Sequence, residues 1–165
     1  AIADVIDAWM AKYSNKDIYE IMKEPQIGSI GAIGTFCFIL LKLGAIVYLL
    51  LDEKFFIFVC IVILSRFSII YNLKIFTFHE NSFFAKSLKQ SSTLFLIVIT
   101  SAFYALITLY LIDVKSLLIL LVVSVISSII LLNILKKRFG FLNGDCIGFS
   151  IEVTELILLN VGLLL

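Results

Sequence analysis

Acidic side chains in two polar segments, one near each end of the sequence, are the residues best suited to chemistry. Asp4 and Asp7 lie three positions apart, so a helix places both carboxylates on one face. Asp145, Glu152 and Glu155 fall within about 80° of arc at about 100° per helical residue. Such carboxylates can hold one divalent cation, and oxygen ligands without histidine or cysteine favour Mg²⁺, Ca²⁺ or Mn²⁺ over Zn²⁺.

Groups able to bind phosphate accompany these acids. Mg²⁺ is usually completed by substrate phosphates, so the carboxylates suit a diphosphate substrate. In a phosphoryl transfer, Lys23 and Arg66 would bind the leaving diphosphate, while one aspartate accepts the proton of the attacking hydroxyl. The motif Gly28-x-x-Gly31-x-x-Gly34 follows Lys23. Its backbone amides could face a phosphate, or its glycines could let two transmembrane helices approach closely.

Lys42 and Arg66 stand inside apolar runs, where an ionisable group is costly. Lys42 either snorkels to the surface or needs an acidic partner inside the bundle, and Arg66 could reach a phosphate at the membrane surface. Glu152 and Glu155 therefore have a second interpretation besides metal binding, because either could be the ion-pair partner of Lys42 or Arg66. The sequence leaves both interpretations open.

The composition is that of a membrane protein. Of the 165 residues, 62% are hydrophobic and 15% are charged, against about 45–50% and about 25% in soluble domains. The formal net charge of +1 excludes a nucleic-acid binder that relies on bulk positive charge. Cys37, Cys60 and Cys146 lie far apart without metal-ligand spacing, so we interpret them as packing residues.

Five runs are long and apolar enough to cross a bilayer, for which about 20 residues are needed. Nine Lys and Arg residues fall on one side of these runs and two fall on the other, which assigns the first side to the cytoplasm. Asp4, Asp7 and Asp145 lie on that same side. The predicted spans are Ser29–Leu51, Phe55–Tyr71, Ser92–Ile112, Ser116–Leu135 and Cys146–Leu165.

Two short helices are predicted at the membrane surface before the first span. The second has Ser14 as its N-cap, Asp17 in its first turn and Pro25 at its end. The fold class is therefore all-α, a polytopic transmembrane helical bundle in which residues 1–165 form one membrane-embedded domain. Because the sequence has no initiator methionine and opens directly on an acidic motif, we expect a fragment without its N-terminal residues.

Three ordered motifs resemble the adenosylcobinamide-GDP ribazoletransferase (cobalamin synthase) family. Its pattern Asp-Gly-x-Ala-Asp-x-x-Asp-Gly is similar to residues 1–8, and the first Asp would precede Ala1. Its Ile-Met-Lys-Asp-Ser-Arg-x-Gly-x-x-Gly is similar to residues 21–31, with Pro25 and Gln26 in place of Ser-Arg, which removes one cation. Its Thr-Gly-Asp-x-x-Gly-x-x-x-Glu-x-x-Glu is similar to residues 143–155. The resemblance runs from end to end and implies that the family's N-terminal spans are missing.

The resemblance implies a magnesium-dependent transferase of cobalamin biosynthesis. The ribose hydroxyl of α-ribazole, or of its 5'-phosphate, attacks the diphosphate of adenosylcobinamide-GDP, which releases GMP and forms adenosylcobalamin or its phosphate. Asp4, Asp7 and Asp145 would be the catalytic residues and Mg²⁺ ligands, with Glu152 and Glu155 supporting the metal. Phosphate binding would then fall to Lys23, Gln26, Gly28, Arg66 and Asn143.

The expected partners are the two substrates and the lipid bilayer, with no nucleic acid, and a homo-oligomer also fits. The expected location is the inner membrane, with several spans and the active site facing the cytoplasm. Two other classes stay open. A CDP-alcohol phosphotransferase also places several Asp at the membrane surface, but its pattern has an Arg where Asp4 follows Ala3. A transporter would line its path with the intramembrane charges.

Overall fold

The structure, a computed structural model, describes residues 1–11, 18–22, 26–79 and 93–165. Within these ranges the chain forms helices and no strand. The predicted N-cap Ser14, Asp17 and Pro25 lie outside the described residues, as does Lys23. The helices are α1 (Ile2–Ala11), α2 (Ile18–Ile21), α3 (Ser29–Leu51), α4 (Phe55–Ile75), α5 (Leu94–Leu111), α6 (Val114–Phe139) and α7 (Gly144–Leu164).

Four of these helices, α3, α4, α6 and α7, are long and apolar enough to cross a membrane. They coincide with four of the five predicted spans. The predicted span Ser92–Ile112 corresponds to α5, whose apolar stretch Val98–Leu111 is shorter than the other four. The prediction of an all-α, multi-pass membrane bundle is therefore confirmed.

Contacts at the two ends of the bundle show that successive helices run in opposite directions. Lys54, just before α4, donates a hydrogen bond from Nζ to the carbonyl oxygen of Leu163, 3.0 Å away near the end of α7. At the other end, the backbone N–H of His79 donates to the carbonyl oxygen of Leu142 at 2.8 Å. This second end, which we call the site end, therefore holds the starts of α3 and α7 and the ends of α4 and α6.

The boundaries of α6 follow from residues suited to helix ends. Asp113 precedes it, and its side chain accepts a hydrogen bond from the backbone N–H of Ser116 at 3.0 Å. That bond holds the pKa of the Asp113 carboxyl below its ordinary value, because it stabilises the ionised form. Gly140 ends α6 at φ 82°, a left-handed conformation that favours glycine. The sharp stop lets the chain reverse and begin α7 at Gly144.

The helix at the centre of the bundle is α7, which packs against α1, α3, α4 and α6. It contributes to two apolar clusters of the core. At the site end, Cys146 packs in one cluster with Val5 of α1. Deeper in the bundle, Leu158 packs in another cluster with Leu49 of α3 and Ile61 of α4. Polar residues on α7 can therefore meet partners from several helices at successive depths.

Candidate functional site

Helix α1 is joined to the start of α3 by the carboxylate of Asp7. Its Oδ2 accepts a hydrogen bond from the backbone N–H of Gly28 at 2.8 Å, and its Oδ1 accepts one from Gly31 at 2.7 Å. The first N–H groups of a helix have no partner within that helix, and their partial positive charge favours an anion. Asp7 therefore acts as a cap for α3 that is supplied by another helix.

The glycines of α3 are required by this close approach. A Cβ atom built on Gly31 would collide with the carboxylate of Asp7 and would lie 2.8 Å from the carbonyl oxygen of Ala3. A Cβ atom on Gly34 would lie 2.7 Å from Cδ1 of Ile6. Of the two interpretations of the motif, the structure therefore supports close helix packing. The amides of Gly28 and Gly31, which could have faced a phosphate, donate to Asp7.

Replacing Gly31 with alanine should separate α1 from α3 and destabilise the protein by about 1–3 kcal/mol, the usual cost of overpacking. The matched control is Gly44→Ala on the same helix, where nothing lies within 4 Å of the added Cβ atom. That change should be neutral or slightly stabilising, since alanine is the better helix former. Thermal unfolding in detergent measures both variants. Equal melting temperatures for the two would contradict the packing role of Gly31.

Asp4 and Asp145, from opposite ends of the sequence, both lie close to the backbone nitrogen of Ala1. The amino-terminal nitrogen of Ala1 lies 2.7 Å from Oδ2 of Asp4 and 3.9 Å from Oδ1 of Asp145. A Cβ atom on Gly148 would lie 2.9 Å from Cβ of Ala1, so the glycine gives α1 room to approach α7. The prediction that the two carboxylates lie together at one end of the bundle agrees with this geometry.

Asn143 fixes the start of α7 and the side chain of Asp145. Its Oδ1 accepts a hydrogen bond from the backbone N–H of Cys146 at 3.0 Å, which is the usual contact of an N-cap residue. Its Nδ2 donates to Oδ2 of Asp145 at 3.3 Å. The structure thus gives Asn143, predicted to bind phosphate, a capping contact and a contact that orients Asp145.

An open cleft of about 500 Å³ lies between α1, the end of α2 and the start of α3. Asp4, Asp7, Gln26 and Gly28 line it, so four of the predicted site residues share one cavity. Apolar side chains, including Met10, complete its walls. The cleft therefore combines carboxylates with an apolar surface.

A network of four charged side chains lies inside the bundle. Lys42 Nζ of α3 is 2.6 Å from Oε2 of Glu152 and 2.8 Å from Oε1 of Glu155, both on α7. Arg66 of α4 pairs with Oε2 of Glu155, whose side chain is only 3% exposed. Ser65 also donates to that oxygen at 3.2 Å. The sequence analysis did not identify Ser65 as a site residue. Its position next to Arg66 was the only feature of the sequence that could have indicated this contact. The network carries no net charge and ties α3 and α4 to α7.

The five predicted metal ligands thus divide into two groups. At a rise of about 1.5 Å per residue, Glu152 and Glu155 lie about 10 Å and about 15 Å along α7 from Asp145. Both glutamates are ion-paired, which agrees with the second interpretation of these residues in the sequence. Arg66 contacts Glu155 rather than the cleft. Among the residues that the structure describes, no three His, Cys, Asp or Glu side chains lie close enough to hold a metal ion. The three aspartates remain at the site end.

Comparisons with known proteins extend over nearly the whole chain. A family model described as cobalamin-5-phosphate synthase matches residues 1–163. An adenosylcobinamide-GDP ribazoletransferase of Clostridium tetani (strain Massachusetts / E88) is 25% identical, over 94% of this chain and 62% of that protein. Proteins of the same name from Acinetobacter baumannii strains ATCC 17978 and ACICU are each 30% identical, over 96% of this chain and 64% of theirs.

The chain spans slightly under two thirds of the length of these curated relatives. No solved structure matches it.

Proposed function

Because the chain belongs to the cobalamin-5-phosphate synthase family, we propose that it contributes to a magnesium-dependent adenosylcobinamide-GDP ribazoletransferase. The ribose hydroxyl oxygen of α-ribazole, or of its 5'-phosphate, attacks a phosphorus of the diphosphate in adenosylcobinamide-GDP. A P–O bond to the ribazole forms, the P–O bond to GMP breaks, and the products are adenosylcobalamin, or its phosphate, and GMP. The matched relatives are named adenosylcobinamide-GDP ribazoletransferase, which supports this choice of substrates.

The observation that carries the proposal is the convergence of Asp4 of α1 and Asp145 of α7 at one place in the site end. An oxygen of each carboxylate lies within 3.9 Å of the backbone nitrogen of Ala1. Two carboxylates this close together repel each other, and a cation between them would remove the repulsion. Carboxylate oxygens are the protein ligands that Mg²⁺ prefers, and it usually completes its shell with water and substrate phosphate. The donor set therefore fits Mg²⁺.

In the proposed mechanism, Asp4 and Asp145 would hold the metal, and Asn143 would keep Asp145 oriented. Bound Mg²⁺ would neutralise negative charge that develops on the diphosphate. Asp7 stays in the proposed set because it lines the same cleft as Asp4. One of these two cleft-lining carboxylates accepts the proton of the attacking hydroxyl.

In this proposal, the residues that bind phosphate are separate from the ion-paired residues inside the bundle. Gln26 and Gly28 line the cleft with the aspartates, so we place the diphosphate there. Lys23 keeps its predicted phosphate role from its place in the sequence motif. Arg66, Glu152 and Glu155 contribute to the bundle through ion pairs, since these pairs satisfy their charges away from the cleft.

We further propose that the site end faces the cytoplasm from the inner membrane. Among the described residues, Lys74, Lys136, Lys137 and Arg138 occupy the last turns of α4 and α6 at that end. The opposite turns carry Lys54 and Lys115 together with Asp52, Glu53 and Asp113. An excess of Lys and Arg in short loops favours the cytoplasmic side.

Release of GMP by membranes that contain the full-length protein tests the proposed function. With adenosylcobinamide-GDP, α-ribazole and Mg²⁺ present, we expect GMP and a cobalamin product in equal amounts. Chelation by EDTA should stop the release, and added Mg²⁺ should restore it. Without the cation, nothing neutralises the negative charge of the diphosphate beside the carboxylates. Binding of a substrate without its consumption would instead identify a transporter. Release that persists under chelation would overturn the role of the metal.

A further inference from the structure

The C-terminal end of α1 is held by a residue that none of the site motifs includes. Nη2 of Arg138, in the last turn of α6, donates a hydrogen bond to the carbonyl oxygen of Trp9 at 3.2 Å. Its guanidinium carbon also lies 4.9 Å from the centroid of the indole ring of Trp9. One side chain therefore contacts both the backbone and the ring of the same residue.

A cation is favourable at this end of helix α1. The last four carbonyl groups of a helix have no partner within it and carry partial negative charge. The last turn of α1, which ends at Ala11, has no basic residue of its own. Arg138 supplies a fixed positive charge and a donor to this turn, and its planar guanidinium suits contact with an aromatic face.

Neighbouring residues hold the backbone of Arg138 in place. The adjacent Phe139 is buried and meets the Trp9 ring edge-on, with ring centroids 6.1 Å apart. The helix ends at Gly140, whose N–H donates to the carbonyl oxygen of Lys136 at 2.9 Å. The side chains of Lys136 and Lys137 are exposed, in contrast to that of Arg138. The last turn of α6 thus presents one of its three basic residues to α1.

We propose that Arg138 is a positioning residue that sets the placement of α1, and with it Asp4 and Asp7, by binding Trp9. The opposite side of α1 is joined to α3 by Asp7. Arg138 would therefore attach to α6 a ten-residue helix that also contacts α3 and α7 and bears two of the proposed catalytic carboxylates. The consequence for catalysis rests on the proposed function, whereas the placement of α1 can be measured without any activity.

Trp9 is the single tryptophan of residues 1–165, so the fluorescence of this chain by itself reports on Trp9. In lipid vesicles, which contain no other protein, Arg138→Gln should shift the emission of Trp9 and raise its quenching constant with acrylamide. Loss of the cation–π contact and of a charged hydrogen bond should raise the undocked fraction of α1 by roughly tenfold. Lys137→Gln removes the same charge from the neighbouring exposed position and should leave emission and quenching as in the parent.

Arg138→Lys separates the charge from the planar group. The ammonium keeps the positive charge but cannot cover the ring in the same way, so we expect an intermediate quenching constant. If Arg138→Gln does not fold, this variant decides, and a constant equal to that of the parent would overturn the proposal. Equal effects of Arg138→Gln and Lys137→Gln would overturn the proposal as well. The effect would then come from the loss of a positive charge and not from the loss of contact with Trp9.

An activity measurement adds the functional consequence. In the full-length protein, Arg138→Gln should lower kcat for GMP release more than it raises KM, and Arg138→Lys should restore part of the loss. If the parent releases no GMP, the proposed function fails, while the fluorescence of Trp9 still decides the role of Arg138. If GMP release and fluorescence are both unchanged by Arg138→Gln, the positioning role is wrong and the proposed function stands.

Discussion

Asp145→Asn is expected to lower Mg²⁺-dependent GMP release by about a hundredfold or more in the full-length protein. A loss of this size is typical when one preorganised electrostatic contact to the transition state is removed. Asparagine keeps the size of the side chain, and its amide can still accept a hydrogen bond from Nδ2 of Asn143, so the start of α7 should stay intact. What is lost is the negative charge that we propose binds the cation, and the concentration of Mg²⁺ required for half-maximal rate should rise.

Asp4→Asn should have an effect of similar size, because the carboxylate of Asp4 lies beside that of Asp145 at the proposed metal site. The matched control is Asp52→Asn, an exposed aspartate beside Lys54 at the opposite end of the bundle, which should leave the rate unchanged. Binding of Mn²⁺, followed by electron paramagnetic resonance, provides a readout apart from activity and should weaken in Asp4→Asn and Asp145→Asn only. Full activity and unchanged Mn²⁺ binding in either variant would remove that residue from the site.

The sequence allows the architecture and the grouping of the aspartates to be predicted for a simple physical reason. A bilayer requires long apolar helices, and alternation of these helices decides which polar segments share a side. Asp4 and Asp145 are 141 positions apart, yet each lies in the first turn of a helix, and the two lie close together at the site end. The third predicted span, Ser92–Ile112, corresponds to α5, Leu94–Leu111, whose start lies beside the undescribed residues 80–92.

The partners of each charge could not be predicted in the same way. A helical wheel shows that Asp145, Glu152 and Glu155 share a face of α7, but it does not show which neighbouring helix lies at each depth. Lys42 and Arg66 meet that face inside the bundle, whereas α1 meets it at the surface. Similarly, the spacing of Gly28 and Gly31 reveals two available amides but not that Asp7 accepts from both.

Lys42→Met is expected to destabilise the protein by about 3 kcal/mol, the cost of leaving a charge unpaired inside a bundle at membrane depth. Arg66 would still neutralise Glu155, but Glu152 would lose its partner in the network. Methionine fills a similar volume, so little of the effect should come from lost packing. Thermal or denaturant unfolding in detergent measures the change. A stability equal to that of the parent would show that the network does not hold α3 to α7.

The double variant Lys42→Met with Glu152→Gln separates ion pairing from metal binding. It removes one charge of each sign, leaves Arg66 and Glu155 paired, and should recover most of the lost stability, because no charge remains without a partner. If Glu152 serves only as a counterion, the double variant should release GMP at the rate of the parent and with the same requirement for Mg²⁺. If Glu152 is a metal ligand as well, the double variant should be stable but should still need more Mg²⁺ than the parent. If stability recovers but Mg²⁺ affinity does not, Glu152 belongs to the metal site. If both recover, the metal site consists of the aspartates at the membrane surface.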